Sequence, residues 1–383
     1  MRNSGCHICA EQNVTLLSIY ASLPRVTSDC RPWRKGGKLA VCQSCGCVQT
    51  VVDSLWHAEA ASIYQDYSMF HQSDGAEQAV FQGDMNHSSP RSARLLEHLG
   101  RVVQLPKSGR LLDIGCGNGS LFRQFANFAP AWLMVGTDLD AKYRAEVENI
   151  AAVDSFWTCD PASVEGTFDL ITMVHVLEHI PDPRGFLSNM VLKLTPKSIL
   201  LINVPDHTQN PFDLVVADHC THFSVGTISS LLHNAGFEIV SLVTDWIPNE
   251  IVVVAKKGRW APRAATGTAG SSPSLELARR HVLWLKSVVA AAGEAQDVPK
   301  FGLFGAAIAA TWLFGEVGES VKFFVDEDPN RVGKLLFGRP IYHPGEVPSG
   351  SHVFIALQPN LAVVIGNRLA RPFVTYHLPP RSL

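Results

Sequence analysis

The sequence predicts an α/β protein with two unequal sheet domains behind a small cysteine-rich module. Three observations lead there. Apolar strand-like runs alternate with helical stretches from Arg110 to about Ala255, the pattern of parallel strands joined by crossover helices. A second strand–turn–helix series starts at Lys300, beyond a Pro/Gly/Ser-rich stretch. Cys6, Cys9, Cys30, Cys42, Cys45 and Cys47 crowd the start of the chain, and two pairs of them are spaced Cys-x-x-Cys. With 383 residues, 46% hydrophobic and 17% charged, the chain can bury more than one core, which excludes wholesale disorder.

Residues 1–55 read as a metal-stapled ribbon. The pairs Cys6/Cys9 and Cys42/Cys45 each put two thiolates on one tight turn, and four thiolates close a tetrahedral Zn²⁺ site at ~2.3 Å. Four protein ligands leave no open position, so the expected zinc is structural. Cys30, Cys47 and His7 are spare thiols or rival ligands. Short β-prone pieces (Val14 to Ile19, Leu39 to Val41, Val48 to Val52) flank the pairs. Residues 56–91 form a connecting segment, expected to be irregular up to residue 88 and rich in aromatics: Tyr64, Tyr67, Phe70 and Phe81.

A helix is predicted from Ser92, at the start of the 92–255 domain. Its strands are expected at Arg110–Ile114, Trp132–Thr137, Phe168–Val174, Ile199–Val204, Glu238–Val243 and Ile251–Ala255. The last two lie too close for a crossover helix and read as an antiparallel hairpin at the sheet edge. Residues 256–273 have linker composition, within a linker-and-helix region 256–299 whose helix runs from Ser274 to Ala292. Strands at Phe301–Phe304, Val321–Val325 and Val353–Leu357 build the domain 300–383.

A net charge of −3 argues against a protein that coats nucleic acid or an anionic membrane. No apolar run reaches membrane-spanning length, and no apolar core follows Arg2 as in a signal peptide. The expected compartment is the cytoplasm.

The most informative segment is Leu111-Leu112-Asp113-Ile114-Gly115-Cys116-Gly117-Asn118-Gly119-Ser120. A hydrophobic strand enters three alternate glycines and then a helix. Glycine permits positive φ and lets a ligand press on the backbone. The spacing is not the dinucleotide Gly-x-Gly-x-x-Gly, whose third glycine is here Ser120, and the Gly-Lys-Ser/Thr of a P-loop is absent. In the last domain, Phe301-Gly302-Leu303-Phe304-Gly305-Ala306 also misses the dinucleotide spacing, although Asp326 stands where a ribose contact could be made.

The loop resembles the first motif of the class I S-adenosylmethionine (SAM) methyltransferases, Asp/Glu-x-Gly-x-Gly-x-Gly, with Asp113, Gly115, Gly117 and Gly119 matching in turn. The resemblance implies a doubly wound class I methyltransferase sheet whose loop packs under the amino-acid part of SAM, with Asp113 contacting that part. It implies that Asp138, ending Val135-Gly136-Thr137-Asp138, takes the ribose hydroxyls and that Asp160 lies near the adenine amino group. Phe168-Asp169-Leu170-Ile171, His175-Val176-Leu177-Glu178-His179-Ile180 and Asn203-Val204-Pro205 follow in the family's order.

The order of a four-cysteine module, this domain and a smaller Rossmann-like domain is similar to the sugar C-methyltransferases, which act on nucleotide-linked deoxy-keto-sugars. Ile63-Tyr64-Gln65-Asp66-Tyr67-Ser68 looks like that family's Tyr-rich segment, which implies that Tyr67 reaches the SAM site. Where the family carries Tyr-His-Glu-His, this chain has Val216-Ala217-Asp218-His219, followed by Cys220-Thr221-His222. Carbon methylation needs a base to form an enolate, and histidine suits that task. His219 is the expected base, Asp218 or His222 its orienting partner, and His179 a residue near the methyl group. The alternatives are methyl transfer to oxygen or nitrogen of a glycan or other metabolite, and a zinc-ribbon nucleic-acid binder with a SAM-sensing core. The acidic balance disfavours the last.

Overall fold

The computed structural model describes residues 5–81, 88–258 and 271–381. Most of the expected linker 256–273 lies outside these residues.

The central sheet has seven strands: β1 (Arg110–Ile114), β2 (Leu133–Thr137), β3 (Val153–Trp157), β4 (Phe168–Val174), β5 (Leu194–Pro205), β6 (Phe237–Val243) and β7 (Glu250–Lys257). Their order is β3-β2-β1-β4-β5-β7-β6. The first five are parallel, and β7 runs antiparallel to both neighbours. The predicted hairpin forms, but its second strand slots in beside β5 and leaves β6 at the edge. Strand β3 is absent from the sequence-based expectation, because Asp154 and Ser155 interrupt its apolar pattern and only one side of it is paired. Strand order reverses between β1 and β4, so the loops leaving their carboxyl ends diverge and open a crevice.

The N-terminal sheet contains Val14–Leu16, Leu39–Cys42 and Val48–Thr50, and a fourth strand, Thr221–His222, from the segment after β5. Thr221 pairs with Gln49 and His222 with Val48, antiparallel. The cysteine-rich module and the histidine segment therefore share one hydrogen-bonded layer.

The stretch from residue 56 is not irregular throughout. Ser54–Gln65 is a helix, N-capped by Asp53, whose carboxylate accepts the Trp56 N–H at 3.0 Å. Trp56, Ala60 and Ile63 recur at helical spacing on its buried side. Trp56 Nε1 then donates to the Ala217 carbonyl at 3.1 Å, tying this helix to the histidine segment.

The C-terminal sheet has six strands, in the order Leu335–Leu336, Arg339–Tyr342, Val321–Val325, Phe301–Phe304, Ser351–Ile355 and Val374–His377. All neighbours but the first pair are parallel. The helix Ser271–Ala295 presents Ala278, Val282, Leu285 and Val288 to a core shared with Leu39 and Val41 of the N-terminal sheet, Leu214 and Val215, and Phe301 and Phe354 of the C-terminal sheet. Among the described residues no helix is long and apolar enough to cross a membrane.

Candidate active site

The crevice holds a cavity of about 860 Å³. Its lining includes the glycine loop and the ends of β2, β4 and β5, the segment from Trp56 to Gln78, His219 with the turn before it, the turn before β7, and the start of the helix Ile308–Val317.

Gly115 and Gly117 sit at φ +69° and +52°, the left-handed region in which a side chain is strained. A Cβ at Gly117 would clash with Met69 Cε, and one at Gly115 would meet Val176 Cγ2 at 2.5 Å. Asp113 is buried and accepts the Thr172 hydroxyl at 2.6 Å; burial pushes its carboxyl up to about 7. Asp138 accepts the Gly117 and Leu139 N–H groups, both at 2.7 Å, and burial raises its pKa. Of the residues expected around SAM, Asp113, Gly115, Asp138 and Tyr67 line the cavity, while Gly117 and Gly119 shape the loop. Asp160 does not line it. Asp160 is exposed and caps the turn Pro161–Ser163 by accepting the Ala162 N–H at 2.9 Å, with its neighbours Cys159 and Pro161 turned to the cavity instead.

The histidine side departs from expectation at two residues, since neither Asp218 nor His222 orients His219 directly. Asp218 lies in a turn in which the His219 N–H donates to the Val216 carbonyl at 3.3 Å, and its carboxylate is drawn to Ser28, accepting the Ser28 N–H at 2.9 Å and the Ser28 hydroxyl at 2.5 Å. Asp213 does the orienting. Its Oδ1 lies 2.7 Å from His219 Nδ1 and its Oδ2 2.7 Å from His222 Nδ1. His222 thus reaches His219 only through Asp213; it is fully buried and does not line the cavity. Asp213 is held on the turn Pro211–Val215, which Asn210 caps by accepting the Phe212 N–H at 3.2 Å. Burial opposes the charge on Asp213, but His222 and His219 outweigh it and hold the carboxyl well below its usual range. Burial likewise opposes protonation of His219, and the bond to Asp213 outweighs that, so its imidazole sits above the ordinary histidine value.

His179 lines the cavity beside His219, with ring centroids 4.6 Å apart and nearly perpendicular. Its Nδ1 is 3.0 Å from the Tyr64 hydroxyl and 3.2 Å from the Asp218 carbonyl oxygen. A half-buried chain of charge continues along the cavity. Arg91 donates to Glu250 at 2.8 Å, and His175 lies 3.2 Å from both Glu250 and Glu178. Burial disfavours the His175 charge, yet Glu250 lifts the imidazole to about 9, while Arg91 and His175 bring Glu250 down to about 2 against its own burial. Asp213, Glu250, Arg91, His175 and Tyr64 are the site residues that the sequence-based assignment missed. The Asn210-Pro211 turn with a carboxylate shortly before His219 was the readable signal for Asp213.

The four expected metal ligands come together. Single ligand atoms of Cys6, Cys9, Cys42 and Cys45 lie within 4.8 Å of one another, with Cys6–Cys45 sulfurs at 3.4 Å and Cys9–Cys42 sulfurs at 3.6 Å. A tetrahedron of ~2.3 Å Zn–S bonds sets sulfurs about 3.8 Å apart, so the donor set fits that ion. The Ser44 N–H donates to Cys42 Sγ at 3.4 Å, as in a knuckle that holds thiolate. Cys30 and Cys47 stand outside this cluster. His7 turns the other way, its Nδ1 2.8 Å from the Thr221 hydroxyl. In the C-terminal domain, Asp326 accepts the Ala306 N–H at 2.8 Å and Arg331 Nη1 at 3.1 Å, and Arg331 lines the cavity.

Residues 86–242 match the family described as "Methyltransferase domain". Over 128 residues the chain is 29% identical to a trans-aconitate 2-methyltransferase of Variovorax paradoxus, which covers 33% of this chain and 49% of that protein. Over 138 residues it is 30% identical to a ubiquinone biosynthesis O-methyltransferase of Parvibaculum lavamentivorans, covering 33% and 54%. The chain spans about half the length of these curated relatives. Among solved structures, a SAM-dependent methyltransferase from Mesorhizobium loti aligns at 18% identity and a TM-score of 0.36, over 42% of this chain and 96% of that one.

Proposed function

We propose that the protein moves a methyl group from SAM onto an acceptor held between the glycine loop and the His179–His219 pair, with a structural Zn²⁺ in the cysteine module. In the first reading the acceptor is a nucleotide-linked deoxy-keto-sugar, methylated at the carbon beside its carbonyl. The observation that carries this reading is His219: Asp213 fixes its Nδ1, and the ring opens onto the cavity that the glycine loop also lines.

SAM, when bound, supplies an electrophilic methyl group on a sulfonium, a good leaving group, so the protein's task is positioning and proton removal. Asp113, the glycine loop and Asp138 hold the cofactor. His219 Nε2 takes the proton from the carbon, and Asp213 stabilises the imidazolium so formed. His179, accepting the Tyr64 proton at Nδ1, presents Nε2–H to the enolate oxygen. The nucleotide of the substrate lies against Arg331 and the start of the helix Ile308–Val317.

The second reading is transfer to an oxygen. It is favoured by the approach of the buried Glu178 to His179 and His219, which line the cavity, and fits the O-methyltransferase relatives. The test is mass spectrometry of nucleotide-linked keto-sugars incubated with SAM in deuterated water. Carbon transfer gives one added methyl with exchange at the α-carbon; a methylated product without exchange selects oxygen, and no product from any sugar removes the acceptor class.

A further inference from the structure

We infer a second metal site, in the wall of the cavity: a divalent cation held by the buried Glu178 and by His179 and His219, which line the cavity and leave its remaining positions open to oxygens of the acceptor. One ligand atom from each residue lies within 4.8 Å of the other two. In both histidines Nδ1 is already engaged, by Asp213 at 2.7 Å for His219 and by the Tyr64 hydroxyl at 3.0 Å and the Asp218 carbonyl at 3.2 Å for His179. With a cation bound, His179 carries its proton on Nδ1, donated to that carbonyl, the reverse of its tautomer in the carbon-transfer reading. Nε2 is the nitrogen left for a ligand. A carboxylate or carbonyl behind the far ring nitrogen is the arrangement that fixes a metal-binding histidine's tautomer and raises its basicity.

Glu178 supplies the independent observation. It is 1% exposed, and neither carboxylate oxygen has a hydrogen-bond partner among the described residues. Its ion-pair partner is His175, whose Nδ1 lies 3.2 Å from Oε1. His175 offsets part of the cost of this buried carboxylate, and a cation shared with His179 and His219 completes it. Asp213 and Asp218, also buried, add negative charge around the two imidazoles, and no lysine or arginine among the described residues pairs with any of these three carboxylates. Two nitrogens and one oxygen suit Zn²⁺, Mn²⁺ or Fe²⁺ better than Ca²⁺. Three protein ligands leave room for substrate, unlike the closed cysteine cluster.

The site deepens the oxygen-transfer reading and rests on it only for the acceptor. A cation-bound hydroxyl loses its proton to water, its oxygen forms the new bond to the methyl carbon, and the electron pair of the broken S–C bond neutralises the sulfonium. Cation and carbon acid compete for the same Nε2 of His219, so occupancy also decides between the two readings.

The test uses the full chain with its cysteine cluster first filled by Zn²⁺. Mn²⁺ is then titrated by electron paramagnetic resonance, and Co²⁺ by its visible spectrum. The expected result is one further cation per chain, with cobalt d–d bands free of thiolate charge transfer. Glu178→Gln and His219→Gln weaken it at least ~10-fold, and Asp213→Asn, behind the ligand, weakens it by roughly 10–100-fold. His233→Gln, on a remote helix, leaves it unchanged. Zinc-filled protein that takes up no second Mn²⁺, Co²⁺ or Zn²⁺ overturns the inference, as does a second site that survives both ligand variants. Binding of S-adenosylhomocysteine, measured separately, reports on the proposed activity and is independent of either outcome.

Discussion

Replacing Asp213 by Asn changes one atom, and the structure indicates which histidine feels it. The carboxylate takes two charge-assisted bonds at 2.7 Å, one from His219 Nδ1 and one from His222 Nδ1. The amide keeps one acceptor and turns an NH₂ toward the other ring, which must then carry its proton on Nε2. His222 Nε2 is buried with no partner among the described residues, so an N–H there costs about 1–3 kcal/mol. At His219 the new N–H faces the cavity, where water accepts it. The amide therefore turns its NH₂ to His219 and removes the lone pair that the proposed mechanism uses as base. The expected loss in kcat is roughly 10²–10⁴-fold. The carboxylate that lifts His219 is also gone, so the rising limb of kcat/KM against pH moves down, from above the ordinary histidine value to below it. Affinity for S-adenosylhomocysteine stays within about twofold, because Asp213 bonds only to the two histidines and its own turn. Single-turnover transfer across pH, with calorimetry for the cofactor product, makes the measurement. A variant with kcat near that of the wild type and an unmoved limb refutes the reasoning.

Asp138→Ala removes the carboxylate that caps the glycine loop at Gly117, and calorimetry is expected to show S-adenosylhomocysteine binding weakened at least ~10-fold, as for loss of charge-assisted bonds of ~1.5–3 kcal/mol. Cys42→Ser opens the four-sulfur cluster and loosens the strand Val48–Thr50 that pairs with Thr221–His222; turnover is expected to fall while cofactor-product binding persists, and equal loss of both would contradict this. Stability should fall on both sides of neutrality. His175, lifted to about 9 in the fold, stabilises fully below its unfolded value of 6.5 and loses that contribution as pH rises through 9. Glu250, brought down to about 2, stabilises fully above 4.5 and loses that contribution as pH falls towards 2. Melting temperatures against pH should flatten on the alkaline side in His175→Ala and on the acid side in Glu250→Gln.

The glycine loop was readable because its chemistry is local: three glycines at alternate positions demand positive φ wherever the chain later packs. The same holds for strands such as β1 and β4, whose apolar runs need no partner to be recognised. The histidine machinery was only half readable. His219 announces itself by residue type, but its partner depends on which side of the Asp218–His219 peptide each side chain takes. That choice is set by Ser28, far away in sequence, which draws Asp218 off. Arg91, His175 and Glu250 were unreadable for the same reason, since each becomes informative only when three separate elements bring them within 3.2 Å. Strand β3 failed on local grounds, as a short edge strand with two polar residues has no pattern to read.

The N-terminal module is best understood from the cost of what it borders. Glu178, Asp213 and Asp218 are all buried within one small volume, and each buried carboxylate costs several kcal/mol unless its partners are held in place. The segment that carries two of them has little regular structure of its own beyond the strand Thr221–His222. Its backbone is fixed from outside: the Thr50 N–H donates to the Cys220 carbonyl at 2.9 Å, the Thr50 hydroxyl to the His219 carbonyl at 3.0 Å, and Trp56 Nε1 to Ala217 at 3.1 Å. The first cysteine pair contributes His7, which meets Thr221 between His219 and His222. A ribbon this small buries little apolar surface of its own, and the Zn²⁺ proposed for its four sulfurs would staple it. The order of dependence then runs from the cysteine cluster to the sheet, from the sheet to the histidine backbone, and from that backbone to the Asp213–His219 geometry. Cofactor binding stands outside that sequence, because the glycine loop is anchored on β1 and on the end of β2, where the Thr137 carbonyl accepts the Gly115 and Cys116 N–H groups. Loss of the metal should therefore silence the chemistry before it empties the cofactor site.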